Sequence, residues 1–414
     1  MRLLHTADWH LGHHLHGHDR SHEQGYFLDW LIALIREREI DGLLIAGDIF
    51  DTANPSAASW QQFYRFLARV YQEFPHLNLI AIAGNHDSPS KLDAPHELLK
   101  AFDLHLIGAI TRDAAGRLQT DRLIVPLTDR QGEIRAWCAA VPYLRSADLR
   151  LDEVELPADS DRLVVGVQAI YQQTLAAIEA RRRPDQPIIA LGHAYLTRGE
   201  LSLLSERKIL GGNQHALPAE LFNGADYVAL GHLHLAQAIT PHVHYSGSPI
   251  PLSMAEAGYH HQVLELELEV GPAGVQVTER HGVPRRVAML RCPQQPEPLE
   301  QVESQLQSLV LPSCEPALRP FLEVHVHLDK PEPRLRERVL AALGDKPVRL
   351  ARIVTHYAGQ GEAMADRLAR QQLDELTPEQ VFSLCHQRHY GQPPEPELQA
   401  AFVQLLSEHQ EQAS

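Results

Sequence analysis

Gly84-Asn85-His86-Asp87 follows directly on the apolar run from Leu77 to Ala83, which predicts a buried β-strand. A polar group at the carboxyl end of a buried strand lies where open α/β sheets place their ligand sites. Gly84 allows a sharp backbone turn, and the three residues after it offer an amide oxygen, an imidazole and a carboxylate. This stretch therefore predicts a binding or catalytic loop at the end of a strand.

Other predicted strands also end in aspartate or histidine, at Asp8-x-His10, Gly47-Asp48, His193 and His232-x-His234. Residues two apart on an extended chain point the same way, so each D-x-H or H-x-H pair can face one cavity. Together with Asn85, these side chains offer nitrogen and oxygen donors without sulfur, which suits two divalent cations of borderline hardness. Two such ions can clamp a phosphate ester for in-line attack, and Asp48, midway in the set, is the predicted bridging carboxylate.

Each of these residues has a simpler interpretation when it is taken alone. A lone His10 or His193 is more often a hydrogen-bonded structural histidine than a metal ligand. Asp48 and Asn85 could serve only as turn or helix-capping residues. The coincidence of all of them at the ends of buried strands favours a two-metal site over these separate explanations.

The order of the predicted elements indicates an α/β fold. In residues 1–284, buried strands are predicted at 2–7, 42–46, 77–83, 187–191 and 226–230, with amphipathic helices at 24–38, 60–74 and 163–183. Further strands are predicted at 122–125, 134–141, 243–246 and 261–270. This alternation predicts a partly parallel sheet with helices packed on it.

Composition shifts near residue 285, and the remaining chain divides into two further segments. Residues 285–357 follow a strand, helix, strand, helix, strand order with proline-rich turns, which predicts a small second α/β domain. Residues 358–414 are polar and predicted to be helical, with a helix start at Thr377-Pro378-Glu379-Gln380 and a last helix at 398–409. Amphipathic helices of this kind suit docking into a partner's groove, although they are often only a domain's own packing.

Composition limits the class of protein. The net charge of −16 argues against binding nucleic acid by bulk electrostatics, so a metal cluster or a partner would have to bring a polyanion in. The 4 cysteines form no C-x-x-C pair, which fits a reducing cytoplasm and argues against a disulfide framework or structural zinc site. No signal peptide, membrane span or Walker A motif is recognisable, so neither membrane insertion nor ATP hydrolysis by this chain itself is expected.

The histidine-rich stretch His13 to His18 is predicted to be a solvated polar loop, with metal binding as the less favoured alternative. Arg181 to Arg183 is predicted to be a solvated helix end rather than a phosphate contact. Tyr245-Ser246-Gly247-Ser248-Pro249 lacks the G-x-S-x-G pattern of a nucleophilic serine and predicts a tight turn beside the cavity.

The motif order D-x-H, G-D-x-x-D, G-N-H-D, G-H, G-H-x-H resembles the calcineurin-like metallophosphatase superfamily. Within it, the segments Met1 to Gly12, Ala46 to Thr52, Ala229 to His234 and Tyr245 to Ser253 resemble the SbcD family of bacterial nuclease subunits. The resemblance is specific from residue 1 to about 270 and looser beyond. It implies a four-layer αββα metallophosphatase sandwich (residues 1–284), a small α/β capping domain (285–357) and a C-terminal helical tail that docks on a partner (358–414).

The resemblance also implies cofactors, roles and partners. The cofactors would be two divalent ions, manganese in this family, one held by Asp8, His10, Asp48 and His234 and the other by Asp48, Asn85, His193 and His232. His86 would stabilise or protonate the transition state, with Asp87 orienting its ring. The partners would be DNA and an SbcC-type ABC ATPase in a two-plus-two heterotetramer built on a homodimer, located in the cytoplasm.

The resulting hypothesis is a two-metal deoxyribonuclease that acts with an ATPase in DNA repair, recombination and replication. The resemblance implies double-strand 3′–5′ exonuclease and single-strand or hairpin endonuclease activity. The alternative enzyme is a phosphomonoesterase or cyclic-nucleotide phosphodiesterase on the same metal core, against which the extra segments after residue 285 argue. A non-cutting metal-bound scaffold is the alternative of another class, and the complete set of candidate ligands argues against it.

Overall fold

The computed structural model describes residues 1–149, 162–197, 216–268 and 274–357, together with six single positions between 382 and 402. The described residues form 18 strands and seven α-helices. The predicted helix start at Thr377 lies outside the described residues, and of the predicted last helix only Leu398, Gln399 and Phe402 are described, all helical.

The first half of the described chain alternates strands and helices. Its elements are β1 (Arg2–Thr6), β2 (His14–Leu15), β3 (His18–Asp19), α1 (Ser21–Glu37), β4 (Gly42–Ala46), α2 (Ala57–Glu73), β5 (Asn78–Ile82), α3 (Pro89–Asp93), α4 (His96–Lys100), β6 (Leu104–Ile107), β7 (Ile124–Thr128), β8 (Ile134–Ala140), α5 (Arg162–Glu179) and β9 (Ile188–His193).

The second half is richer in strands. It continues with β10 (Tyr227–Gly231), β11 (Gln237–Thr240), β12 (Val243–Tyr245), β13 (Gln262–Leu268), β14 (Val275–Gly282), β15 (Met289–Arg291), β16 (Glu297–Pro298), α6 (Leu299–Ser308), β17 (Phe321–Leu328), α7 (Leu335–Leu343) and β18 (Arg349–Tyr357).

Two six-stranded sheets form the centre of the first compact unit, which comprises Met1–Leu290, Leu311–Glu323 and Pro347–Arg352. One sheet has the order β14-β13-β1-β4-β5-β6 and the other β11-β12-β10-β9-β8-β7. The two sheets pack face to face, with Leu3, Leu44 and Ile80 of the first sheet in one core with Ile189 and Leu230 of the second.

Helices cover the outer faces of both sheets. Leu4 and Leu43 point away from the second sheet and pack with Phe27 of α1 and Phe66 of α2, as side chains on a strand alternate between faces. Ile170 of α5 packs on the second sheet. The first unit is therefore the predicted four-layer αββα sandwich.

Parallel pairing aligns the strand ends that carry the predicted site. β1 pairs in parallel with β4, and β4 with β5, while β8, β9 and β10 are parallel neighbours in the second sheet. The carboxyl ends of these strands consequently meet at one edge of each sheet. Gly231 pairs with His193 in this register, so the loops after β9 and β10 begin side by side.

The second compact unit comprises Arg291–Val310, Val324–Lys346 and the chain from Ile353 onward. In this unit β16 pairs in parallel with Val326 and His327 of β17. Helices α6 and α7 contact each other, with Val302, Leu306 and Val339 buried and an ion pair between Arg338 and Glu303. The three-part division at residues 285 and 358 remains a prediction.

Candidate metal centre

The described residues bring all seven predicted ligands together at the sheet ends. Six of them are almost fully buried, with exposed fractions of 0 to 6%: Asp8, His10, Asp48, His193, His232 and His234. Possible ligand atoms of Asp8, His10 and His234 lie within 4.8 Å of one another, and so do those of Asp8, Asp48 and His193. One crowded polar pocket therefore lies between the loops of both sheets.

Asp48 and Asn85 occupy the middle of this pocket. The Asp48 Oδ2 atom lies 3.5 Å from His10 Nε2 and 3.4 Å from His193 Nε2. The Asn85 Oδ1 atom lies 2.9 Å from His193 Nε2 and 3.0 Å from His232 Nδ1. Asp48 thus faces histidines from both sheets, as a bridging carboxylate must, while Asn85 is confined to the side of His193 and His232.

Backbone strain is concentrated at this pocket. Asp8, His10, Asp48 and His232 have φ values of 55°, 45°, 49° and 101°, in the left-handed region that residues other than glycine rarely adopt. Such conformations cost about 1–3 kcal/mol each and persist where surrounding structure enforces them, commonly at functional sites. These turns accompany the loops that bring Asp8, His10 and Asp48 into the pocket.

Glycines at the strand ends make room for these side chains. A Cβ atom at Gly84 would lie 2.1 Å from Asp48 Oδ1, and one at Gly47 would lie 2.3 Å from His193 Nδ1. Both distances are far below van der Waals contact, so any larger residue at either position would displace a site residue. The glycine of each motif is therefore required by close approach as much as by its turn.

Trp9 anchors the first loop of the pocket. Its ring is buried on the opposite side of the backbone from Asp8 and His10, with ring centroids 5.6 Å from Phe27 and 5.3 Å from Phe66. Its indole nitrogen donates to Thr6 Oγ1 at 3.0 Å. Replacing a buried tryptophan by alanine typically costs about 3–5 kcal/mol, so this packing can hold the strained loop.

Hydrogen bonds determine which ring nitrogen of each histidine faces the pocket. Carbonyl and carboxylate oxygens only accept, so the Nδ1–H groups donate from His10 to Asp51 (3.2 Å), from His193 to the Ala46 carbonyl (2.9 Å) and from His234 to Glu256 (3.1 Å). The Nε2 atoms of His10 and His193 face Asp48 instead, 3.5 and 3.4 Å from its Oδ2 atom. His232 differs, because its Nδ1 atom faces Asn85.

The donors fit divalent metal ions. The Nε2 atom of His10 is buried and has no hydrogen-bond partner among the residues that the structure describes, an unfavourable state that coordination of a cation would relieve. Imidazole, carboxylate and amide donors without thiolate suit manganese, iron or zinc better than soft metals.

The electrostatics of the pocket show how its charges interact. Burial raises the pKa of Asp8 above its usual range. Burial also opposes ionisation of Asp48, but the neighbouring imidazoles, first His193, hold the pKa of Asp48 well below its usual range. Burial and then His193 lower the pKa of His232 to about 3. Two carboxylates and several imidazoles enclosed together form a pocket in which positive charge is strongly favoured.

His86 and Asp87 lie at the edge of this pocket with different partners. The half-buried His86 ring lies edge-on to His10, with centroids 4.8 Å apart, and its Nδ1 atom donates to the Asp51 carbonyl at 2.7 Å. The Asp51 carbonyl occupies Nδ1, and the orienting role of Asp87 remains a prediction. The Asp87 carboxylate accepts the backbone N–H groups of Gly84, Ile49 and Phe50, joining the loops after β4 and β5.

Sequence reasoning missed Glu256 and assigned the histidine-rich stretch incompletely. Glu256 is fully buried behind His234 in the turn Met254–Gly258, and its acidic side chain after an apolar stretch was the only available signal. His14 and His18 belong to the short hairpin β2–β3 and hydrogen-bond the carbonyls of Gly12 and Leu350, so this stretch is not a free loop. The basic helix end pairs with acidic neighbours, as in Arg182–Glu179.

Comparisons with known proteins agree with this architecture. Residues 1–236 match the family described as calcineurin-like phosphoesterase, and residues 284–390 match the family described as type 5 capsule protein repressor C-terminal domain. The SbcD subunit of the SbcCD nuclease of Rhodobacter capsulatus is 37% identical over 390 residues, covering 92% of this chain and 94% of the relative. This chain belongs to the SbcD family of calcineurin-like phosphoesterases.

Other SbcD relatives are similar to this chain over different lengths. The SbcD protein of Escherichia coli K12 is 31% identical over 390 residues, which is 92% of each chain. That of Bacillus subtilis 168 is 37% identical over 276 residues, 66% of this chain and 67% of the relative. Similarity to SbcD proteins therefore extends well beyond the metal pocket. Among the described residues, no helix is both long and apolar enough to cross a membrane.

Proposed function

We propose that this chain is the nuclease subunit of an SbcCD-type complex and hydrolyses phosphodiester bonds of DNA with two divalent cations. The observation that carries the proposal is the convergence of Asp8, His10, Asp48, Asn85, His193, His232 and His234 on one buried pocket in a member of the SbcD family. The relatives are named as nuclease subunits, and this chain covers nearly their whole length.

Asp8, His10, Asp48 and His234 would hold one ion, and Asp48, Asn85, His193 and His232 the other. The proximity of donor atoms of Asp8, His10 and His234 supports the first set, and the contacts of Asn85 with His193 and His232 support the second. Bound divalent ions neutralise phosphate oxygens and make water a better nucleophile near neutral pH. Manganese is the proposed metal, because the donors are oxygen and imidazole nitrogen and the SbcD family points to it. The strained loops hold the donors before any ion binds, which reduces the cost of ordering them.

His86 is the proposed general acid for the leaving oxygen. The Asp51 carbonyl accepts from its Nδ1 atom, which fixes the ring and turns Nε2 toward the other side. Asp87 positions His86 through the backbone, since it ties together the two loops that flank the pocket. His86 is half-buried beside His10, so it can reach a substrate that enters the pocket.

The rival enzyme, a phosphomonoesterase or cyclic-nucleotide phosphodiesterase, uses the same metal core. It is not favoured, because similarity to the SbcD relatives continues across 390 residues and includes the chain after residue 285. The proposed substrates are DNA duplex ends, degraded with 3′–5′ polarity, and single strands or hairpins. The proposed roles are in DNA repair, recombination and replication in the cytoplasm.

Cleavage of end-labelled duplex, hairpin and single-stranded DNA, measured beside hydrolysis of a phosphomonoester and a cyclic nucleotide, tests this function. We expect manganese-dependent DNA cleavage that chelation abolishes, a loss of about 100-fold or more in His86→Ala with bound metal retained, and loss of metal in Asp48→Asn. Arg117→Gln, at an exposed arginine, is the matched control. Hydrolysis of the monoester or cyclic nucleotide in place of DNA would refute the nuclease function.

The proposed partners are an SbcC-type ABC ATPase and a second copy of this chain, two of each. The family supports the ATPase, and exposed apolar residues on and near α2 and α4 support the homodimer, namely Tyr64, Tyr71, Leu98 and Phe102 with exposed fractions of 39 to 62%. Deletion from residue 358 should abolish co-purification of the ATPase while manganese-dependent endonuclease activity remains. Light scattering should give a dimer mass that Tyr71→Glu reduces.

A further inference from the structure

The loop after β8 reaches the metal pocket although none of its residues belongs to the predicted ligand set. β8 is parallel to β9, so it ends at the same sheet edge as His193. The backbone N–H of Tyr143 donates to the Ala83 carbonyl at 2.8 Å, which joins this loop to the end of β5. The Arg145 Nη2 atom donates to the Asp87 carbonyl at 3.2 Å. This loop therefore borders the Gly84-Asn85-His86-Asp87 turn.

Tyr143 lies between Arg145 and the metal pocket. The Arg145 guanidinium carbon is 5.3 Å from the centroid of the Tyr143 ring. The Tyr143 ring also contacts the His193 ring edge-on, with an interplanar angle of 80° and ring centroids 6.1 Å apart. The Tyr143 ring thus separates the Arg145 guanidinium from the proposed ligand His193.

The Arg145 guanidinium has no carboxylate partner within the part of the chain that the structure describes, although the Arg145 backbone N–H donates to the Asp148 carboxylate at 2.7 Å. Its guanidinium makes one side-chain hydrogen bond there, to the Asp87 carbonyl, whereas arginines such as Arg20, Arg38 and Arg338 form ion pairs. A guanidinium has five N–H donors, and most of those of Arg145 are free for an anion. The chain carries a net charge of −16, so a half-buried unpaired cation beside a metal pocket suits an anionic substrate.

We propose that Arg145, stacked on Tyr143, binds a phosphate of the substrate strand that adjoins the scissile phosphate. The inference rests on the proposed nuclease function and adds a substrate contact to it. The planar guanidinium binds phosphate oxygens bidentately, and the aromatic platform limits its rotamers. The scissile phosphate would be bound by the metal ions. Tyr143 lies between Arg145 and the metal pocket, so Arg145 would contact a neighbouring phosphate instead. Such a contact favours a polynucleotide over a phosphate ester that carries a single phosphate.

The test compares Arg145→Gln with the unsubstituted full-length chain on two substrates, a single-stranded oligonucleotide and bis(p-nitrophenyl) phosphate, with manganese. The oligonucleotide has adjoining phosphates and the small diester has none. We expect Arg145→Gln to raise KM for the oligonucleotide about 10-fold with little change in kcat, as for loss of a charge-assisted binding contact. The slope of log affinity against log salt should become shallower by about 0.7. Kinetics with the small diester should be unchanged.

Three controls separate substrate binding from a structural effect. Arg112→Gln removes another half-buried arginine that bonds only carbonyls, those of Gly116 and Asp148, and should alter neither measurement. Arg145→Lys keeps the charge and should restore the salt slope but only part of the affinity. Metal content should be equal in all variants. The oligonucleotide affinity can also be measured by fluorescence anisotropy without cleavage.

If Arg145→Gln leaves the oligonucleotide affinity and its salt dependence unchanged, the inference is wrong. An equal loss of activity with the small diester would also overturn it, because that result would place Arg145 at the scissile phosphate. Failure of the unsubstituted chain to cleave either substrate would count against the proposed nuclease function instead. The anisotropy comparison would then still decide whether Arg145 contacts the strand.

Discussion

At the scale of single residues, the metal pocket depends on groups that stand behind the ligands. Each of three ligand histidines donates a hydrogen bond from the ring nitrogen that faces away from the pocket. The acceptors are Asp51 for His10, the Ala46 carbonyl for His193 and Glu256 for His234. This contact selects one tautomer, fixes the ring plane and raises the basicity of the nitrogen that faces the pocket. Glu256 also accepts the backbone N–H of Leu252 at 2.7 Å, so its own position is held from two directions.

Glu256→Gln should lower the affinity for manganese by about 10- to 100-fold while the fold remains intact. A neutral amide still accepts from His234 but no longer raises the basicity of its ring. Titration calorimetry on the chelator-treated protein measures the affinity directly and requires no activity. Glu267→Gln replaces a half-buried glutamate in β13 and should leave metal binding unchanged. If both variants bind manganese as tightly as the unsubstituted chain, Glu256 does not position His234.

Sequence alone predicted the proposed ligands but not the groups behind them. Asp8, Asp48 and Asn85 follow the ends of apolar strands by two or three residues, so a local pattern carries the signal. Glu256 meets His234 only through space, across 22 positions, and its turn has no periodic signature. The hydrogen bond from His86 to the Asp51 carbonyl was missed for the same reason, since residue identity does not reveal a contact to a backbone carbonyl.

At the scale of elements, β1 and β10 are joined across the sandwich by a buried histidine. His5 Nε2 lies 3.1 Å from the Leu230 carbonyl and Nδ1 lies 3.0 Å from the Tyr227 hydroxyl. A carbonyl can only accept, so Nε2 carries the proton and Nδ1 accepts from the tyrosine. The neutral ring therefore satisfies both sheets, and a protonated ring would lose the tyrosine's hydrogen bond and bury a charge.

The stability of the sandwich should fall with acid partly because of His5. Burial, with a contribution from His244, lowers the pKa of His5 to about 3, below its ordinary value of 6.5. Between these two pH values His5 binds a proton in the unfolded chain but not in the folded chain. The stabilisation that comes from the neutral, hydrogen-bonded His5 ring is therefore complete above pH 6.5 and is lost between pH 6.5 and 3. Within that window the slope from this one group is about 1.4 kcal/mol per pH unit.

Urea unfolding at several pH values, in the presence of chelator, measures this slope. His5→Gln should be less stable than the unsubstituted protein near neutral pH, because a hydrogen-bonded imidazole is lost, but should show a shallower decline toward acid. His22→Gln, at an exposed histidine of α1, should retain the full slope. Equal slopes in all three proteins would contradict the assignment to His5.

Elements with weak local patterns were missed in the sequence. β14 was not predicted, because it has the burial pattern of an exposed edge strand and is defined by its antiparallel register with β13. β6 has only four residues, and the hairpin β2–β3 only two per strand, too short for a period of two to emerge. The buried parallel strands β4, β5 and β10 were predicted within two residues, because continuous apolar runs mark strands covered on both faces.

At the scale of the whole molecule, the metal pocket connects the two sheets as well as providing a reactive site. The His232 backbone N–H donates to the Asp8 carboxylate at 2.9 Å, and His193 donates to the Ala46 carbonyl. Both contacts run between the sheets at the end where the pocket lies. In the absence of ions, this end encloses two carboxylates and several imidazoles whose ionisation burial opposes. Divalent ions would supply the missing positive charge and join ligands from both sheets.

Removal of metal should therefore lower the thermal stability of the first unit. Ions that bind only the folded chain stabilise it by about 2.7 kcal/mol per site at a 100-fold excess over the dissociation constant. For two sites this corresponds to a change in unfolding temperature on the order of 10 °C in a unit of this size.

Calorimetry with manganese and with chelator measures the difference. Asp48→Asn removes the carboxylate shared by the two proposed ligand sets and should abolish the dependence on manganese. Asp29→Asn, at an exposed aspartate of α1, should preserve it. An unfolding temperature that is independent of manganese in the unsubstituted chain would show that the convergent side chains do not hold metal ions.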